Sequence, residues 1–143
     1  MSSNLEGVPP VLMHHLKHNK VLHQTVVLLS ISSEPEPTVP IQSQVQVKEL
    51  EHGFYKVHAH FGFMQTPKVP DIMRNCRKHG LKVDPATSTF YLGRETLLIG
   101  GKSTMARWRK ALFAFIARNA RSATAYFEIP PGRVVELGMQ IDL

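Results

Sequence analysis

Along the chain, apolar positions switch between helical and strand spacing often enough to mark out most of the elements. Pro9 and Pro10 suit the first turn of a helix, where a missing N–H costs nothing. Val8, Val11, Leu12, His15 and Leu16 then fall on one face of that helix, with His14, Lys17 and His18 on the other. Residues 25–32 (TVVLLSIS) form a nearly unbroken apolar run rich in β-branched side chains, the pattern of a central strand covered on both faces. Residues 44–50 alternate weakly and end at His52 and Gly53. Beyond that turn Tyr55, Val57, Ala59, Phe61 and Phe63 alternate with Lys56, His58, His60 and Gly62, which predicts a hairpin.

Val69, Ile72, Met73 and Cys76 make a short apolar stripe behind Pro70. Arg74, Arg77, Lys78 and His79 crowd the end of that helix, where its dipole favours cations, and Gly80 can close it. Two short strands are predicted over residues 88–92 and 96–99, broken at Gly93, Arg94 and Glu95. The longest helix is predicted over residues 105–124. Met105, Trp108, Leu112, Phe115 and Ile116 share its apolar side, and Arg107, Lys110, Arg118 and Arg121 share the opposite one. Val135, Leu137, Met139, Ile141 and Leu143 alternate with polar or small residues, as in a half-buried last strand. The sum is an α+β fold: a mixed sheet of about five to six strands with three helices packed on it.

Composition narrows the class. A chain of 143 residues makes one compact domain, and 43% hydrophobic with 20% charged residues supplies a real core. Glu34 to Pro40, with three prolines, reads as a surface loop rather than a domain boundary. No stretch approaches the ~18–20 consecutive apolar residues of a membrane span. The first twenty residues hold His14, His15, Lys17, His18 and Lys20 in place of an apolar signal core. Cys76 is the single cysteine, so there is no internal disulfide. The expectation is a soluble, intracellular domain. Its net charge of +6 attracts nucleic acid, an anionic membrane surface or acidic partners without choosing among them.

Candidate chemistry is sparse. Gly100, Gly101, Lys102, Ser103 and Thr104 lie between a predicted strand and helix as a phosphate-binding loop would. The full pattern needs a glycine where Thr96 stands, and a loop followed by a helix cap explains the same letters. His14 and His18 are one helical turn apart but make only half a metal site, so no metal is expected. His15 reads as a partly buried, satisfied histidine. His58 and His60, with Lys56, read as a solvent-facing stripe of a strand. Cys76 falls on an apolar stripe, and neither a nucleophile elbow nor a dinucleotide fingerprint is present. The four cations of the long helix read first as a solvated face, and second as a surface for anionic lipid headgroups. Nucleic acid is not expected, because Trp108 and Phe115 lie on the apolar side, away from the cations.

Six stretches together resemble the C-terminal cytosolic domain of the KUP/HAK/KT potassium transporters. They are residues 7–23 (GVPPVLMHHLKHNKVLH), Phe61 to Met64 with Pro67, 76–84 (CRKHGLKVD), 89–96 (TFYLGRET), 108–123 (WRKALFAFIARNARSA) and 129–138 (IPPGRVVELG). The resemblance implies a domain carried behind about twelve membrane helices that take potassium inward, coupled to protons. It implies a place on the cytoplasmic side of the cell membrane and a regulatory, gating or dimerisation role. The implied partners are the membrane domain and a second copy. An anionic lipid surface or a cyclic dinucleotide is an expected ligand class; no cofactor and no enzymatic activity are implied. His14, Lys17, Asn19, Lys20, Arg94 and Glu95 match polar positions of the family pattern and are the expected ligand or interdomain contacts. His15 departs from that pattern, where Asn is common. In relatives an apolar stretch ends near the position of Met1, so an unpaired sheet edge able to pair strands in a dimer is expected. The alternative is a standalone nucleotide-binding or nucleotide-hydrolysing protein using residues 100–104.

Overall fold

The structure, a computed structural model, describes residues 8–98, 108, 109, 112 and 122–142. Helix α1 is Pro10–Asn19, strand β1 Val26–Glu34, β2 Val45–Glu49 and β3 Phe54–Gly62. Helix α2 is Val69–Lys78, strand β4 Phe90–Leu98, the short helix α3 Ala123–Tyr126, and β5 Val134–Asp142. The α+β class holds. The five strands divide between a three-stranded sheet of order β1-β3-β2 and a parallel pair β4-β5.

The predicted hairpin is present: β2 and β3 are antiparallel, with Val47 opposite Val57. Its turn needs a left-handed pair, His52 (φ 60°) and Gly53 (φ 78°). A side chain at Gly53 would meet the Gln24 carbonyl oxygen at 2.3 Å, so glycine is required there twice over. Strand β1 runs parallel to β3, from Val26 beside Phe54 to Glu34 beside Gly62. The expectation of a central strand at residues 25–32 is therefore corrected: β3 is central and β1 lies at the sheet edge. Its long apolar run reflects cover on both faces, not neighbours on both sides.

Val57, Ala59 and Phe61 point from β3 into a core closed by Ile72 and Cys76 of α2, with Val45 and Leu81. The other stripe of α2, Val69 and Met73, packs with Phe127 and Ile129 against Leu29 and Ile31 of β1 and against Phe90, Leu92 and Val134. One ten-residue helix thus lies across both sheets. Its first turn is tied to the C-terminal segment by the Val69 N–H donating to the Phe127 carbonyl (3.0 Å) and by the Lys68–Glu128 ion pair (2.8 Å). Gly80, at φ 87°, follows its end. Helix α1 lies against β4 and β5.

Four further expectations change. The predicted break at Gly93, Arg94 and Glu95 does not occur: β4 is continuous and parallel to β5, with Gly93 beside Leu137 and Arg94 beside Gly138. Long-range pairing overrides the weak local propensity of a single glycine. In β5, Val134 reaches the core cluster and Val135 is exposed, contrary to the predicted alternation, whereas Leu137 is half-buried as that alternation predicts. The long helix does not reach Thr124, because Ser122 is extended (φ −63°, ψ 144°) and its hydroxyl caps α3 by accepting from the Ala125 N–H. Trp108 and Leu112, expected in the core, are exposed, and the Arg109 guanidinium lies 5.3 Å from the Trp108 ring centre.

Candidate functional site

Of the six polar residues expected to make contacts, four belong to α1 and its end. His14 stacks on His18 with ring centres 6.0 Å apart, and both are exposed, as is Lys17. Lys20 closes the helix in the left-handed conformation (φ 54°), its N–H donating to the Leu16 carbonyl. Asn19 turns inward: its amide Nδ2 donates to His15 Nδ1 at 2.9 Å. Arg94 lies on β4 and pairs with Glu136 of β5 at 3.3 Å, both partly exposed. Glu95 follows on the same strand, beside Met139 in the register. Arg107, Lys110, Arg118, Arg121 and residues 100–104 lie outside the described residues.

The residue singled out for no family role sits deepest. His15 is buried, with its ring 4.6 Å from Tyr91 in an edge-on contact and 5.8 Å from His23. Because Asn19 donates to Nδ1, the neutral ring carries its proton on Nε2. That atom is buried and has no partner among the described residues, which corrects the expectation of a satisfied histidine. An orphaned buried donor is uncommon and calls for an explanation.

His15 borders a cavity of about 710 Å³ between β1 and β4. Helix α1 and the Leu22–His23 connection lie on one side, and α2 with Phe127 and Ile129 on the other. Every residue from 25 to 31 of β1 and its approach lines it, as does every residue from 89 to 93 of β4 and its approach. Successive side chains of a strand point to opposite faces, so a cavity lying on one face would touch only alternate residues. Lining by consecutive residues means that the cavity runs along the strand edges. Neither edge has a strand paired on its outer side among the described residues.

A second polar cluster occupies the face of β1 and β3 turned away from α2. His60 Nδ1 donates to Glu34 Oε1 at 2.7 Å, with Ser32 Oγ 3.2 Å from the same nitrogen, and the His58 ring is centred 4.1 Å away. These histidines are half-buried, not the solvent-facing stripe expected. The hydrogen bond from His60 holds the Glu34 carboxyl below its ordinary range. Burial, then the neighbouring His60, pushes His58 down. The trio of Ser32, His60 and Glu34 has the letters of a hydrolytic triad without its geometry. Hydroxyl and carboxylate share one ring nitrogen, whereas a triad needs them on opposite nitrogens. Burial raises the Cys76 thiol to about 11, which leaves it without nucleophilic thiolate at neutral pH. Among the described residues no group of three or more His, Cys, Asp or Glu is placed to hold a metal ion.

Sequence reasoning missed Glu34 and Tyr91, whose partners lie 26 and 76 positions away in His60 and His15. It also missed Gln65. Its side-chain oxygen accepts from the Val39 and Gly62 N–H groups, and its amide donates to the Val39 carbonyl, pinning the proline-rich loop. The nearest signal was the short spacing of Gly62 and Gln65 around a turn.

Comparison with known proteins adds the family. The family pattern described as "K+ potassium transporter C-terminal domain" matches residues 1–143. The chain is 56% identical over 143 residues to the "Probable potassium transport system protein Kup" of Myxococcus xanthus, covering all of this chain and 22% of that protein. It is 54% identical to "Kup 2" of Syntrophobacter fumaroxidans, over 99% of this chain and 22% of that one. It is 51% identical to "Kup 1" of Geobacter sulfurreducens, over 100% and 23%. No solved structure matches. The chain spans less than a quarter of the length of these relatives, and it belongs to the family of potassium transporter C-terminal domains.

Proposed function

We propose that this domain is the cytoplasmic regulatory and assembly end of a potassium uptake permease. In this reading the membrane part carries potassium with protons. The domain beneath it contacts that part, supports a homodimer and biases its conformations. The observation that carries the reading is the end-to-end match to a C-terminal domain, within relatives named as potassium transport proteins that are more than four times as long. The architecture is consistent with it. Among the described residues no helix is long and apolar enough to cross a membrane. The two ten-residue helices would each span only ~15 Å of a ~30 Å hydrocarbon layer. A domain of this kind supplies no ion path, so its contribution comes through contacts. Anionic lipid or a cyclic dinucleotide would meet its cationic surfaces.

The test is potassium uptake by cells that lack their own importers. A relative such as the Myxococcus xanthus protein, with its C-terminal quarter replaced by this chain, should restore growth at low potassium. Deleting the domain should change the uptake rate or the oligomeric state. Unchanged uptake and assembly after deletion would contradict the reading. So would nucleotide hydrolysis by the purified chain that disappears in Lys102→Ala.

A further inference from the structure

The exposed histidine pair of α1 has the makings of half a tetrahedral coordination shell. We propose that His14 and His18 bind a divalent transition metal, with Zn2+ the best fit, and that the same pair of a second copy completes the site.

Residues four apart on a helix share a face, with Cβ atoms about 5–6 Å apart. Two histidines at that spacing close on one ion in helical zinc motifs. Here the rings are already near that arrangement, with centres 6.0 Å apart and planes inclined by only 25°. With metal–nitrogen bonds of about 2.0–2.1 Å and tetrahedral angles, two imidazoles on one ion have their centres about 5 Å apart. The adjustment of about 1 Å lies within the rotamer freedom of exposed side chains. Both rings also keep their nitrogens for a ligand. Among the described residues nothing hydrogen-bonds to either ring, whereas Asn19 occupies His15 Nδ1 and Glu34 occupies His60 Nδ1.

The donor set selects the metal. Imidazole suits zinc, copper, nickel and iron. Four imidazoles in a tetrahedron suit Zn2+, whose filled d shell imposes no geometry of its own. One chain offers only two. Between Val8 and His23 there is no Asp, Glu or Cys, and no group of three or more such ligands forms among the described residues. A twofold axis through the ion sets the same patch against itself, so one pair becomes two and no further residue is needed. Helix α1 is open to this pairing. It packs on β4 and β5 by one side, while Met13, His14, Lys17 and His18 are exposed. Lys17 and Lys20 give both faces the same charge, so two such faces repel until an ion joins them. The site stands on this geometry alone; its service to a homodimer rests on the assembly reading above.

The purified chain, free of any histidine tag, is titrated with Zn2+ in a calorimeter and sized by chromatography with light scattering. Saturation at one ion per two chains is expected, with the mass doubling and then returning when a chelator is added. His14→Ala and His18→Ala should each weaken binding at least tenfold and abolish the doubling. Both side chains are exposed, so the metal-free melting temperature should stay where it was. His79→Ala, at an exposed histidine just past the end of α2, should leave binding unchanged. No saturable zinc binding overturns the inference, as does one ion per chain with no change in mass. Doubling that survives the loss of either histidine overturns it too, and so does an equal loss in His79→Ala. If zinc pairs the chain as expected while deletion of the domain leaves potassium uptake and assembly unchanged, the metal site stands and the regulatory reading falls.

Discussion

The two sheets of this domain are built to different standards of closure. In the three-stranded sheet the central strand has neighbours on both sides and α2 beneath it, so Val57 and Ala59 are wholly inaccessible to solvent. In the β4–β5 pair the described residues are half-buried at best, and Val135 is exposed. A two-stranded ribbon is marginal alone, and parallel pairing is found almost always under cover. The pair is held by its packing on α2, Phe127 and Ile129, by α1, and by the Arg94–Glu136 contact. What the contrast teaches is that burial is deepest at β3, the one strand with neighbours on both sides, while no described residue of the β4–β5 pair is fully buried. The half nearer completion is the half that carries no candidate contact residue of the family pattern.

The largest effect that tests this contrast is a pair of truncations. Ile72→Ala, at a side chain only 2% exposed, should lower stability by about 2–5 kcal/mol in chemical denaturation. Leu92→Ala, half-buried beside the cavity, should cost less than about 2 kcal/mol. Equal losses would erase the distinction. Next in size, Gln65→Ala removes three hydrogen bonds that anchor the proline-rich loop to the end of β3, at a cost of about 1–3 kcal/mol. Gly62, where an added side chain would meet the Pro37 carbonyl oxygen at 2.3 Å, makes that closeness obligatory. A smaller effect concerns pH. His58 is held below its ordinary value of 6.5 by burial, so the unfolded chain takes up its proton first as pH falls. Stability should therefore decline below about pH 6.5. The Glu34 carboxyl, also depressed, adds a loss with the same sign below its ordinary 4.5. His58→Gln should flatten the melting temperature between pH 7 and 5; an unchanged slope would remove His58 from the account.

Much of the fold was legible because local periodicity and burial agree. The stripes of α2 and the alternation of β3 appear in the structure as read from the sequence, with Ile72 and Cys76 meeting Val57 and Ala59. What failed was information about neighbours. A run such as residues 25–32 reports cover on its faces but not the strand beside it, so an edge strand was read as central. Gly93 looked like a break because a single glycine has no local partner to reveal, whereas its place is set by Leu137 on a distant strand. The site was less legible still. His15 was placed on the core side correctly, yet its orphaned nitrogen depends on Asn19 one turn later and on Tyr91 far along the chain. The Glu34–His60 contact likewise exists only through parallel register.

Native-state hydrogen exchange on the chain bears most directly on the central claim, that the three-stranded sheet is the closed half of the described fold and the β4–β5 pair the less protected one. Amides of Val57 and Ala59 should exchange only through global unfolding, while those of residues 90–92 exchange at least a hundredfold faster through local opening. Uniform protection across β3 and β4 would contradict the account.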